Sequence, residues 1–125
     1  MKIKDFMTTK LITVDPQETV AAGARLLGRN GLGALPVVGE GGRLRGVLTH
    51  RDITQRCVAA GLDPNRTRVG AVMTTHAFAA GPEDSAALTA KAMADRGLRR
   101  LPVTQSGRLV GMVSLSDLSR QGDLG

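Results

Sequence analysis

Aromatic side chains are almost missing from this chain of 125 residues, which has two Phe, no Trp and no Tyr. That shortage removes the flat platforms on which single-stranded nucleic acid binders stack bases. Cysteine is nearly absent too. Cys57 alone excludes an internal disulfide, and no Cys or His spacing of the metal-binding kind surrounds it; it is expected to pack on a helix. No apolar run approaches the ~18 residues of a membrane span, and Met1-Lys2-Ile3-Lys4-Asp5-Phe6 lacks the apolar stretch of a signal peptide. A soluble, cytoplasmic protein is the expectation. Also missing is any catalytic set: there is no nucleophile–base pair, no carboxylate pair within one segment and no glycine-rich loop to cradle a phosphate. The chain therefore reads as a non-enzyme.

What is present is basic. The net charge of +6 attracts polyanions of any kind, so nucleic acid, a membrane surface and a nucleotide phosphate all stay open on charge alone. The arginines are scattered rather than run together, as on solvated helix faces. At this length the chain is about one domain. Half of it, roughly 60 residues, would bury only about 60% of its unfolded surface, so two halves sharing an interface are expected rather than two separate beads.

The chain does divide into halves, because it repeats itself. Met7-Thr8-Thr9 returns 66 residues later as Met73-Thr74-Thr75, and the segment Gly31 to Val37 returns as Gly97 to Val103 with Leu-Pro-Val at its end. Gly46-Val47-Leu48-Thr49-His50-Arg51-Asp52 returns as Gly111-Met112-Val113-Ser114-Leu115-Ser116-Asp117, now 65 residues on because the intervening turn is one residue shorter. A fixed period marks a repeated structural unit. We divide the chain into repeat 1 at 1–62, a linker at 63–68 and repeat 2 at 69–125, together one compact module around a pseudo-two-fold axis.

Each repeat follows one plan. A helical turn (Ile3 to Met7; Val69 to Met73) leads to an extended piece (Leu11 to Val14; Ala77 to Ala80) and a proline turn at Pro16 or Pro82. Thr19 and Ser85 are placed to cap helices over Val20 to Asn30 and Ala86 to Arg96, which Gly31 and Gly97 end in the left-handed conformation. Hairpins follow, Leu35 to Val38 with Arg43 to Thr49 and Leu101 to Thr104 with Leu109 to Ser114. Closing helices are expected over Arg51 to Ala60 and Ser116 to Arg120. Gly23, inside a helix, is expected to serve close packing.

The chemistry concentrates at the strand-to-helix junctions, where Thr49-His50-Arg51-Asp52 and Ser114-Leu115-Ser116-Asp117 each spell hydroxyl, two residues, carboxylate. One reading is a capping box, with hydroxyl and acid bonding reciprocally to the helix's first turn. The other is a ligand site: strand carboxyl ends collect ligands in open α/β folds, hydroxyl and amides suit a phosphate, and an acid beside them suits a ribose diol. Both stand on sequence alone. Arg99 and Arg100 precede a strand in the second repeat where the first has Gly33-Ala34, so the second side is expected to take more phosphate charge. His50 is expected to face solvent or touch a phosphate, and His76 reads as a loop residue.

The Asp5-Phe6-Met7 start, the Gly-x-x-x-Leu-Pro-Val segments and the two Gly-h-h-[Thr/Ser]-x-x-Asp motifs (h apolar), in matched order and twice over, resemble a tandem pair of CBS domains, the Bateman module. The resemblance covers essentially the whole chain. It implies an α/β (α+β) fold of two β-α-β-β-α repeats packed sheet to sheet with pseudo-two-fold symmetry, leaving two clefts. It also implies adenosine-containing ligands: AMP, ADP, ATP, S-adenosylmethionine or a cyclic dinucleotide. By resemblance, Asp52 and Asp117 hold the ribose, and Thr49, His50, Arg51, Ser114, Ser116, Arg99 and Arg100 lie on the phosphate side. The base would meet Leu32, Gly33, Ala34, Leu35, Pro36 and Val47 or Leu98, Leu101, Pro102 and Met112, with each cleft drawing on both repeats. Such modules usually regulate an enzyme, channel or transporter in the same chain. Here nothing else is attached, so output is expected to pass through a homodimer or an effector protein. No metal or resident cofactor is expected. A protein-interaction module whose capping boxes are only that, or less plausibly a nucleic-acid binder, is the alternative.

Overall fold

The computed structural model describes residues 1–124, with side chains as far as Ser119. Thr19 begins helix α1 (Val20–Asn30), its Oγ1 accepting from the Ala22 amide at 3.1 Å. The other first-turn amides are also met: Val20 donates to the Thr67 carbonyl, Ala21 to Pro64 and Gly23 to Thr19. The polar stretch 63–68 thus closes the start of α1. Gly31, at φ 60°, ends the helix. Strands β1 (Ala34–Val38) and β2 (Leu44–Thr49) form an antiparallel hairpin running from Ala34↔Thr49 to Val38↔Leu44. A single α-turn, α2 (His50–Asp52), then widens into a π-helical stretch, Ile53–Val58, and the short α3 (Val69–Val72) follows.

The second repeat runs parallel to this plan. Ser85 caps α4 (Ala86–Arg96), accepting from the Leu88 amide at 3.2 Å, and Gly97 ends it at φ 68°. Strands β3 (Arg100–Gln105) and β4 (Arg108–Ser114) pair from Arg100↔Ser114 to Gln105↔Arg108 around Ser106 and Gly107, both at positive φ as a two-residue hairpin turn demands. Helix α5 (Leu115–Leu124) closes the described chain. Among the described residues no helix is long and apolar enough to cross a membrane.

Two expectations need correcting. The extended pieces Leu11 to Val14 and Ala77 to Ala80 are not full strands; each makes one parallel bridge, Val14↔Val37 and Ala80↔Val103. Val14 donates to the Pro36 carbonyl and accepts from the Val38 amide, and Ala80 does the same with Pro102 and Thr104. The next rung would need an N–H from Pro36 or Pro102, and proline has none. The helix expected from Arg51 to Ala60 is likewise not regular. Its π-helical middle is sealed by the Ala59 amide reaching five residues back to the Thr54 carbonyl at 2.8 Å, with Cys57 fully buried on it.

The chain packs as two units, Ile12–Ala77 and Met1–Leu11 with the residues from Phe78 onward. Each leading turn therefore serves the repeat it does not precede. Val69 and Val72 join Val20, Leu27, Leu35, Leu48 and Cys57 in one core, while Ile3 joins Ala86, Met93, Leu101, Val103, Val113 and Leu118 in the other. The reason lies in the backbone. Thr74 exchanges two hydrogen bonds with Val47 on β2 (3.0 and 2.9 Å), and Thr8 does so with Met112 on β4 (2.8 and 3.0 Å). This approach explains the motif glycines. A Cβ at Gly46 would lie 2.5 Å from the Thr74 carbonyl oxygen, and one at Gly111 would lie 2.9 Å from that of Thr8. Gly23 is a packing glycine as well, since a Cβ there would meet Leu48 at 2.6 Å.

Candidate functional site

At the end of β2 the chain turns into α2 with a complete reciprocal cap. Asp52 N donates to Thr49 Oγ1 (3.1 Å), and Thr49 N donates to Asp52 Oδ2 (2.9 Å). The other carboxylate oxygen, Oδ1, accepts from the hydroxyl of Thr74 at 2.8 Å. Asp52 is 5% exposed, so these donors replace the water it gave up. They also fix its orientation. Each carboxylate oxygen has two acceptor directions, which leaves capacity for a ligand hydroxyl.

At the end of β4 the same letters recur in a more exposed setting. Asp117 N donates to Ser114 Oγ at 3.2 Å, and that hydroxyl also lies 3.2 Å from Ser116 Oγ. Asp117 is half-buried rather than buried, and it too has a partner. In both copies the residue after the hydroxyl ties back to the segment before the hairpin: His50 N to the Gly33 carbonyl (3.4 Å), Leu115 N to the Arg99 carbonyl (2.7 Å). The first copy adds a second tie, His50 Nε2 against the Leu32 carbonyl at 3.0 Å. His50 is thus exposed, yet its ring already has a partner.

The remaining expected residues sort by exposure. Arg51, Ser116, Arg99 and Arg100 are exposed, and Thr49 and Ser114 half-buried. Among the residues expected near a base, Leu35, Pro36, Leu101 and Pro102 are buried as core, Leu32, Ala34, Val47, Leu98 and Met112 are half-buried, and Gly33 is exposed. The structure brings Thr49 and Asp52 together, and Ser114 with Ser116 and Asp117. An open groove of about 440 Å³ lies elsewhere in the first unit, between Thr13, Asp15 and Glu18 and the Arg25–Arg29 face of α1; none of the expected site residues lines it. Sequence reasoning missed Thr74, whose hydroxyl completes the Asp52 shell. Its signal was the Met-Thr-Thr repeat, legible as a repeat but not as a contact.

A family model for the CBS domain matches residues 3–59 and again 69–122. The chain belongs to the CBS domain family. The CBS domain-containing protein YhcV of Bacillus subtilis is 42% identical over 117 residues, spanning 94% of this chain and 82% of that protein. Among solved structures, Hypoxic Response Protein I, crystallised with two coordinated zinc ions, is 34% identical with a TM-score of 0.85, over 96% of this chain and 98% of that one. The CBS domain pair of protein MJ0100, crystallised with 5′-methylthioadenosine and S-adenosyl-L-methionine, is 26% identical with a TM-score of 0.80, over 98% and 96%. The model matches twice, as it does in a tandem pair, and the mixed helix–strand fold with its pair of small sheets agrees with the expected α+β architecture. A zinc site does not carry over: among the described residues no group of three or more His, Cys, Asp or Glu side chains is placed to hold a metal ion.

Proposed function

We propose that this CBS domain protein is a regulatory module that binds adenosine-containing ligands, with Asp52 and Asp117 taking the ribose and the Thr49 and Ser114 sides taking phosphate or an equivalent polar group. The observation that carries the reading is the buried, oriented Asp52 carboxylate at a strand's end, whose motif recurs at Asp117. A carboxylate with free acceptor directions suits a vicinal diol. Ligation of nucleosides by the similar MJ0100 pair supports the same class. Arg99 and Arg100, exposed beside the second motif, favour ligands with more phosphate there. The protein works in the cytoplasm without catalysing a reaction, and its output passes to a second copy of the chain or to an effector protein.

Thermal unfolding with AMP, ATP, S-adenosylmethionine and cyclic-di-AMP tests this. A ligand at about 100 times its Kd stabilises by about 2.7 kcal/mol, which raises Tm by several degrees in a domain of this size. No rise with any of the four would sink the reading. One observation favours a second reading, a protein-interaction module: the Thr49–Asp52 capping box is complete and explains the motif by itself. Under it Asp52→Ala lowers stability, while no nucleotide moves the wild-type Tm.

A further inference from the structure

Directly after Asp52 the helix is π-helical, a rare geometry that concentrates at functional sites. Asp52 and Arg56 are four residues apart on this coil, so both face the segment Val72 to Thr74. The Arg56 guanidinium does not pair with the acid. Its Nη1 donates instead to the carbonyl of Val72 (3.4 Å), the last residue of α3, and to that of Met73 (3.1 Å) just after it, where helix-end carbonyls lack partners within the helix. The next residue is Thr74. It is pinned to β2 by two backbone bonds with Val47 and gives its hydroxyl to Asp52 Oδ1.

We propose that Arg56 is a positioning residue for the Asp52 half of the ligand site, acting through the Met73 and Val72 carbonyls on Thr74 and through the Thr74 hydroxyl on the carboxylate. This rests on the ribose reading of Asp52 for its functional consequence, though not for its geometry. The second copy lacks the device in its sequence, because position 121, which corresponds to Arg56, is Gln. Arg56 therefore acts on one of the two acids. It fixes where the acceptor oxygens point before a ligand arrives, and preorganisation of this kind raises affinity without adding a ligand contact. Thr74 is four residues before Phe78, where the chain enters the other packing unit.

The test uses Arg56→Met, which keeps the aliphatic stem and removes the guanidinium, with Arg56→Lys as a partial rescue and Thr74→Val as the isosteric loss of the hydroxyl. Amide hydrogen exchange of the ligand-free protein is expected to quicken about tenfold at Thr74 and Thr49 in Arg56→Met. It should quicken less in Arg56→Lys, and stay unchanged at the Thr8–Met112 pair and along α1. In an Asp117→Asn background, titration with 5′-methylthioadenosine is expected to show about tenfold weaker binding for Arg56→Met and Thr74→Val alike. Unchanged exchange at Thr49 and Thr74, an equal rise along α1, or unchanged affinity for 5′-methylthioadenosine would each overturn the proposal. If the wild type binds no nucleoside at all, the nucleotide reading fails while the exchange arm still decides whether Arg56 positions Asp52.

Discussion

The junctions at Thr49–Asp52 and Ser114–Asp117 come from one duplicated motif, yet they treat the acid differently. In the first, both carboxylate oxygens are bonded and the side chain is 5% exposed. In the second the acid is half-buried, and the cap runs through a serine that also meets Ser116. What the copies share is backbone geometry: a hydroxyl that caps, a glycine that lets a leading strand approach, and a tie back to the segment before the hairpin. What differs is supplied by residues outside the motif: Arg56 on one side, where the other has Gln121, and Arg99 and Arg100 on the other, where the first has Gly33 and Ala34. A motif of this kind specifies a frame, and the neighbourhood sets how available its acid is.

The comparison breaks hardest at the exchanged leading turns. Ile3→Ala empties a fully buried position in the core shared with Met93 and Leu101, and is expected to cost about 2–5 kcal/mol. Urea unfolding followed by amide exchange should show the loss in Met1–Leu11 and the residues from Phe78 onward before it appears in Ile12–Ala77. A uniform loss would mean that the two units unfold as one. Next in size is Gly46→Ala, which drives a Cβ to 2.5 Å from a backbone oxygen and should cost about 1–3 kcal/mol. Gly111→Ala has slightly more room at its carbonyl, 2.9 Å, and also presses on the Met7 sulfur at 2.8 Å. Because a methionine side chain can shift, its cost should be the smaller of the two.

Asp52→Ala and Asp117→Ala sharpen the contrast directly. The first strands the Thr49 amide and the Thr74 hydroxyl in a nearly dry site, at about 2–3 kcal/mol. The second removes an acid already half in water and should cost about 1 kcal/mol. Equal losses in chemical denaturation would show that the burial difference has no energetic meaning.

The features common to both copies are legible in the amino-acid sequence because they are local. The helix bounds Val20–Asn30 and Ala86–Arg96 follow from a capping hydroxyl at one end and a left-handed glycine at the other, signals that the chain obeys. The capping box is legible for the same reason. What escapes is non-local. That Val69 packs under the first repeat and Ile3 under the second depends on contacts across the chain, and adjacency in sequence suggests the opposite. Pro36 and Pro102 are plain to see, but their effect, cutting the first strand of each repeat to one bridge, emerges only once the pairing partner is known. Thr74 and Arg56 go unnoticed because nothing in their own segments marks a residue that acts on Asp52.

The smallest expected effect concerns how each leading segment is fastened. In one unit Lys2 and Lys4 both pair with Glu83, while at the corresponding place in the other Arg68 donates to the carbonyl of Gln17. Glu83→Gln makes the first fastening resemble the second. The bond from Lys2, and then that from Lys4, hold the Glu83 carboxyl below its usual range, and Glu83 in turn raises Lys2. A depressed acid contributes stability above its ordinary pKa and loses it as pH falls; a raised lysine contributes below its ordinary pKa and loses it as pH climbs. The pair is therefore at full strength between about pH 5 and 10. All three groups are exposed, so the contribution is slight and screened by salt. Calorimetric scans should show Glu83→Gln melting just below wild type at pH 7 and together with it near pH 3, as well as at about 1 M salt. A gap that survives acid and salt would mean that Glu83 holds the leading segment by packing rather than by charge, and that the two fastenings differ in kind.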